Sequence, residues 1–576
     1  MKMKKTILVT VSMACGAVWA DGLDLNGSWE FRFEEGKSIA QVSTERFEAT
    51  DSVVVPGCYD MLPKFYLKRG TGLYRKTFTL AQPVEDASLV VDGMGLTGAF
   101  WVDGKSLGIH PYPYAKLALK VGSLDAGTHT VVAALDNRFD WETQKLARPY
   151  YDFYCHGGFY HGVRLDFDSR RLLVRTRDHA TGLVEIEAEG FAVSDFDAEL
   201  CFDGKNRVNV AFKGGRAKVN VPDFRLWSPD SPNLHIVTLG MSGKPAVSAR
   251  FGIRTVEVRD RKICLNGKPI YLKGANRHES HPTFGAATPE HIMLTDIQNL
   301  KAMGGNFIRG AHYQQAQRFL DLCDENGVLV WEESLGWGNG SHHEMAKCEL
   351  TNETFRAQQL LTTREMVRHS FNHPSIIIFA FMNEFLSSSK DGKSLADELI
   401  KAIKAEDSGR LVTFAVCHKK TDISNENTDI VAFNTYPGWF DSIGVGDDAN
   451  LRRIIAKDLE SNVSRFRKLY PDKPIMVAEM GACGIYGFHD RGAAQWTEEF
   501  QAQFLSAIID NVFAENDICG FTVWHFADAR SYHRSGGALR GKPLAENLGG
   551  IFDGYRRPKM AVDVVTQKFW AKDRAR

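Results

Sequence analysis

Beyond its first twenty residues the chain has no stretch of ~20 uninterrupted apolar side chains, so no membrane-spanning helix is expected. It also lacks a charge bias: 70 basic residues stand against 71 acidic ones, a formal net charge of −1, and no long block of like charge occurs. Nucleic acid and anionic membrane surfaces are therefore not expected partners. Cysteine is sparse and dispersed, ten in 576 residues, with neither the density of a disulfide scaffold nor zinc-ligand spacing. No internal repeat or low-complexity tract is visible.

What is present is a globular composition, 44% hydrophobic, 11% aromatic and 24% charged. The length exceeds one ordinary core, which implies roughly two to four domains. Met1-Lys2-Met3-Lys4-Lys5 is a basic start, residues 6–18 are mostly apolar, and Val18-Trp19-Ala20 offers a small-x-small cleavage site. That reads as a secretory signal peptide over 1–20, so a secreted or periplasmic location is expected. Cys15 follows Ser12-Met13-Ala14, which lacks the leading aliphatic residue of a lipoprotein box, so lipid anchoring is not expected.

The remainder divides by its grammar into a multidomain β plus α/β protein. From 21 to 167, short alternating runs such as SLVVDGM (88–94) and THTVVAALDN (128–137), separated by turn signals, predict a jelly-roll-like β-sandwich. The pattern restarts over 168–256 as a smaller, immunoglobulin-like β-sandwich. From 257 to 576, apolar runs alternate with helical spacers: 269–276, 306–312, 328–334, 376–384, 411–416, 429–436, 474–481 and 518–526. Eight such runs predict a (β/α)8 TIM barrel, whose chemistry sits at the C-terminal strand ends.

Two glutamates stand out there. Glu384 closes IIIFAFMNE (376–384) and Glu479 sits near the end of PIMVAEMG (474–481), on the fourth and seventh runs. Burying a carboxylate beside Ile, Val and Phe is costly unless something pairs or uses it. Two of them at matching ends of one barrel can face each other at the ~5 Å of a retaining glycoside hydrolase, one as nucleophile and one as acid/base. His278 and His312 follow the first two runs as candidate hydroxyl contacts, and Trp524 as an aromatic floor. Glu332 and Glu333 end the third run and read as a strand-end network rather than as the acid.

LNGSWEF (25–31), GLYRKTF (72–78), KGANRHESHP (273–282), Met382-Asn383-Glu384 and Val477-Ala478-Glu479 together resemble glycoside hydrolase family 2, over the whole mature chain. The resemblance implies Glu384 as acid/base, Glu479 as nucleophile and Asn383 as donor to the sugar 2-hydroxyl. Asp152-Phe153-Tyr154 is similar to the sandwich loop of the β-glucuronidase branch, whose Asp reaches the sugar, which implies exo action. Asn434-Thr435-Tyr436-Pro437-Gly438-Trp439 is similar to that branch's sixth-strand motif, with Tyr436 near the nucleophile. Where the large β-galactosidases of the family hold magnesium, Trp337 and Asn339 stand here, which implies a site with no metal and no cofactor.

One position departs from the branch. Its Asn-x-Lys triplet, whose lysine grips a sugar carboxylate, reads Asn547-Leu548-Gly549 here. Asn547 is kept as a substrate contact; the lost ammonium leads the sequence reading toward a neutral sugar, a terminal β-galactoside. The alternative is a β-glucuronidase or β-galacturonidase that uses Arg530, Arg534, Arg540 or Lys542 instead. A non-catalytic carbohydrate-binding protein is the remote alternative. In each case the partner is an oligosaccharide or glycoconjugate. Family members are often dimers or tetramers, so a homo-oligomer is allowed by the resemblance.

Overall fold

A computed structural model describes residues 22–43, 47–145, 153–241, 244–340, 349–440, 447–531 and 543–574. The leader over 1–20, and Asp152, Arg534, Arg540 and Lys542, lie outside the described residues.

The chain first builds two antiparallel sheets, of four and six strands. Their alternating apolar residues, among them Trp29, Phe31, Leu89, Phe100, Val131 and Phe159, face one another as one core. A second, smaller pair follows, of three and four strands. Leu172, Ile186, Leu200, Phe202, Val237 and Phe251 fill the space between them.

The barrel strands are Leu272–Arg277 (β1), Phe307–Gly310 (β2), Leu329–Trp337 (β3), Ile376–Asn383 (β4), Leu411–Thr413 with Ala415–Val416 (β5), Val431–Asn434 (β6), Ile475–Met480 (β7) and Ile518–Val523 (β8). All neighbours pair in parallel and β8 returns to β1. β5 is broken at Phe414: its first piece pairs with β4 and its second with β6, which closes the ring. Every residue of β4 is buried, as a strand covered on both faces requires. Ile377, Ile378 and Ala380 join the inner cluster, while Ile376, Phe379 and Phe381 pack outward with the helices. Trp227 of the second sandwich and Ile263 and Leu265 of a hairpin join the inner cluster too.

One spacer differs from the helical pattern. Between β5 and β6 the described residues hold only a 3-10 turn, Asn425–Asn427. Asp422, Ser424, Asn425 and Thr428 bond to one another and to nearby backbone, which favours a turn over a helix.

The first sandwich docks on the barrel mouth. Tyr114 stacks on Tyr313 with ring centroids 3.7 Å apart, and His161 meets Glu279 at 2.9 Å. Among the described residues no helix is long and apolar enough to cross a membrane.

Candidate active site

The two glutamates lie at the C-terminal ends of β4 and β7 and share one hydrogen-bonded network. Glu479 accepts from Arg309 Nη1 at 2.7 Å through Oε1 and from the Tyr436 hydroxyl at 2.7 Å through Oε2. Glu384 accepts from Asn434 Nδ2 at 2.7 Å. That same amide reaches Asn383 Oδ1 at 3.2 Å. Successive residues of a regular strand point to opposite faces, so Asn383 and Glu384 could not both meet Asn434 from one. The chain breaks the alternation: Met382 and Glu384 adopt φ of 41° and 55°, left-handed values that cost a non-glycine residue about 1–2 kcal/mol.

Asn383 Oδ1 also accepts from Arg309 Nη2 at 3.0 Å. Its Nδ2 is buried with no protein partner. An amide donor left open in a polar pocket is suited to a ligand hydroxyl.

Arg309, wholly buried on β2, was not singled out from the sequence. Besides Glu479 and Asn383 it binds Glu333 (Nε to Oε2, 3.0 Å) and Asn276 Oδ1 at 2.9 Å. Its guanidinium lies 4.9 Å from the Trp331 ring centroid. The signal was legible: a full charge inside the apolar run NFIRGAH, where a guanidinium survives only with buried carboxylates to meet it. Glu333 accepts from the Trp331 indole at 3.0 Å as well. Glu332 turns the other way, accepting from the backbone of Gln315 at 3.1 Å.

Burial pushes the Glu479 carboxyl up to about 8 against the pull of Arg309, and the nearby Glu384 charge adds to the rise. The two acids titrate as a pair that holds one proton near neutrality. Glu479 accepts from a cationic donor and a phenol, both of which favour its ionised form against the burial. Burial, then Arg309, holds His312 well below the usual histidine range, so its ring is neutral.

The walls are aromatic. Trp524 stacks on His312 at 5.2 Å and meets His278 edge-on at 5.4 Å. Phe153, from the first sandwich, lies 5.6 Å from His278 and 6.1 Å from His312. Asn547 accepts from Gly549 N at 3.2 Å. A Cβ at Gly549 would lie 3.3 Å from Asn547 Oδ1, His525 Cδ2 and Trp524 Cδ1 alike, so this turn packs directly on the indole. Arg530 pairs with Glu546 while Ala529 pairs with Asn547, so Arg530 and Asn547 point to opposite faces of that ribbon. Arg530 reaches the Tyr66 hydroxyl at 3.2 Å and Glu546 at 3.6 Å.

Although sequence spacing shows no metal site, folding brings Cys58, Asp60 and His156 within 4.8 Å of one another, and likewise Asp321, Asp324 and His373. Neither group contains a residue of the glutamate network. The first is a buried His–Asp pair at 3.2 Å beside a thiol that burial and Asp60 keep protonated. Among the described residues no disulfide joins any of the eight cysteines.

Residues 256–572 match the family model described as glycosyl hydrolases family 2, TIM barrel domain. The β-glucuronidase of Sus scrofa is 28% identical over 410 residues, 68% of this chain and 60% of the pig protein. The chain thus spans less than two thirds of that relative's length. The β-glucuronidase of Streptococcus agalactiae is 24% identical over 94% of each chain. Among solved structures, a GH2 β-galacturonidase from Eisenbergiella tayi bound to galacturonate aligns with a TM-score of 0.82 at 28% identity, covering 96% of this chain and 99% of that one.

Proposed function

The chain belongs to glycoside hydrolase family 2, and from that membership we propose that it is a retaining exo-β-glycosidase removing a terminal β-linked uronic acid. The observation that carries the chemistry is the joining of Glu479 and Glu384 through Arg309, Asn383 and Asn434. Glu479, ionised by Arg309 and Tyr436, attacks the anomeric carbon and forms a glycosyl-enzyme. Glu384 gives its proton to the leaving oxygen, then takes one from the water that releases the sugar. Asn383 Nδ2 donates to the sugar 2-hydroxyl, a bond that tightens in the transition state. His278 and His312 contact further hydroxyls, and Trp524 lies under the ring's apolar face.

The relatives at 28% identity are named β-glucuronidase and β-galacturonidase. Their names support the uronide over the neutral β-galactoside that Gly549 suggests from sequence, and we place β-galacturonides first. Arg530, Arg534, Arg540 and Lys542, which follow β8, are the cations positioned in sequence to meet the carboxylate. The face on which Arg530 lies favours the other three.

The neutral sugar stays as the second reading, because glycine stands where the branch carries its lysine. Hydrolysis of nitrophenyl β-galacturonide, β-glucuronide and β-galactoside should be compared side by side. Higher kcat/KM for either uronide is expected; preference for the galactoside would overturn the sugar assignment while leaving the chemistry standing.

A further inference from the structure

At the opposite end of the barrel strands, the second sandwich meets the segments that lead into β4 and β5 around a cleft of about 200 Å³. Ile376 begins β4 and Glu384 follows its end, so the cleft lies roughly 26 Å from the glutamates at ~3.3 Å per strand residue. Four arginines line it, Arg175, Arg177, Arg254 and Arg410, with Asp407 as the carboxylate among them.

Two of the four are held by a hydrogen-bonded carboxylate. Arg177 is paired with Glu185 at 2.5 Å. Arg410 donates to the Ile376, Phe371 and His373 carbonyls and to Asp407. Asp407 in turn is buried and also faces Arg175 Nε at 3.3 Å. Arg254 is different. It donates to the carbonyls of Pro374 at 3.0 Å and Ile376 at 2.8 Å but meets no carboxylate, and among the described residues no acceptor faces its Nη1. Arg175 gives Nη2 to the Glu406 carbonyl at 2.6 Å and likewise has no acceptor on Nη1. A guanidinium buried beside other guanidinia without its own anion is costly, and planar Arg pairs are suited to grip an oxyanion. Burial, then Arg410, pushes Arg254 down to about 9, as an under-compensated cation requires.

We propose that this cleft is a binding site for one small oxyanion, held between Arg175 and Arg254 and separate from the active site. Its volume holds a tetrahedral or dicarboxylate dianion with several waters at roughly 30 Å³ per water. If the arginines only staple the sandwich to barrel carbonyls, no anion is specifically retained.

Thermal unfolding of the full protein, with chloride replaced by sulfate at constant ionic strength, separates the two. Sulfate stabilises proteins generally, so saturation and its loss on mutation are the readouts. A saturable rise in Tm is expected for the wild type, with the half-saturating concentration at least tenfold higher in Arg175→Gln and turnover of a nitrophenyl glycoside unchanged. A malonate arm distinguishes a carboxylate ligand from a tetrahedral one. A non-saturable rise, or an equal rise in the variant, would overturn the proposal. Should Arg175→Gln fail to fold, selenate soaked into wild-type crystals decides: an anomalous peak between Arg175 and Arg254 supports the site, and its absence rejects it.

Discussion

Arg309 on β2 donates to Glu479 on β7 at 2.7 Å while its Nε holds Glu333 on β3 at 3.0 Å. One buried cation therefore serves two buried carboxylates on different strands, and a third arm steadies Asn383 beside Glu384 at 3.0 Å. The guanidinium ties the expected nucleophile to the residue next to the expected acid. Removing it leaves carboxylates without their charge partner, which typically costs about 3–5 kcal/mol. Arg309→Met is expected to lower stability by that order. Arg309→Lys should fold, yet lose kcat by tenfold or more because one compact ammonium with three donors cannot span the four acceptors, Glu333, Asn276, Glu479 and Asn383, that the guanidinium fork reaches. Urea unfolding and steady-state kinetics on the two variants check both.

Glu384→Gln should lower kcat/KM by ~10²–10⁴ on substrates with poor leaving groups. The loss should shrink with an activated nitrophenyl leaving group, which needs little protonation. An equal loss on both would argue that Glu384 does not protonate the leaving oxygen.

The raised Glu479 carboxyl makes pH a diagnostic. The shared proton leaves as pH rises through about 8, so kcat/KM should fall above that value. Arg309→Lys should shift that limb. Stability follows the opposite bookkeeping to an ordinary salt-bridged acid. The proton that the pair keeps up to about 8, against 4.5 for an ordinary glutamate in the unfolded chain, contributes fully below 4.5 and its contribution is lost as pH rises to 8. Glu479→Gln should therefore gain stability relative to wild type between pH 5 and 8, by up to roughly 4 kcal/mol. A flat difference across that range would contradict the buried, coupled carboxyl.

Gly549 packs where any Cβ would stand 3.3 Å from the Trp524 indole. Gly549→Ala should raise KM several-fold by tilting that ring, with little change in global stability. Gly549→Lys should not raise glucuronide turnover, since the turn has no room for a side chain without moving. A gain in glucuronide kcat/KM would show that the turn yields easily.

Much of this was legible in the residues. IIIFAFMNE and PIMVAEMG announce buried strands by their unbroken apolar runs, and a carboxylate at each end is conspicuous. Arg309 was missed because NFIRGAH drew attention to His312, although a charge in mid-strand carries the same message. Phe153 shows a harder limit: its contact with His278 spans over 100 residues between domains, and no local pattern encodes it. The 3-10 turn at Asn425–Asn427 was hidden because its side-chain bonds compete with a helix in a way periodicity does not register. The sugar is least legible of all, since one lost lysine leaves open which other cation meets the carboxylate.

The most direct test is covalent trapping. The protein is incubated with a 2-deoxy-2-fluoro-β-galacturonyl fluoride, digested and mapped by mass spectrometry. A single fluoro-uronyl adduct on Glu479, absent from Glu479→Gln, is the expected result. An adduct on any other residue, or turnover with no adduct alongside inversion of the released sugar, would contradict the retaining mechanism proposed for this barrel.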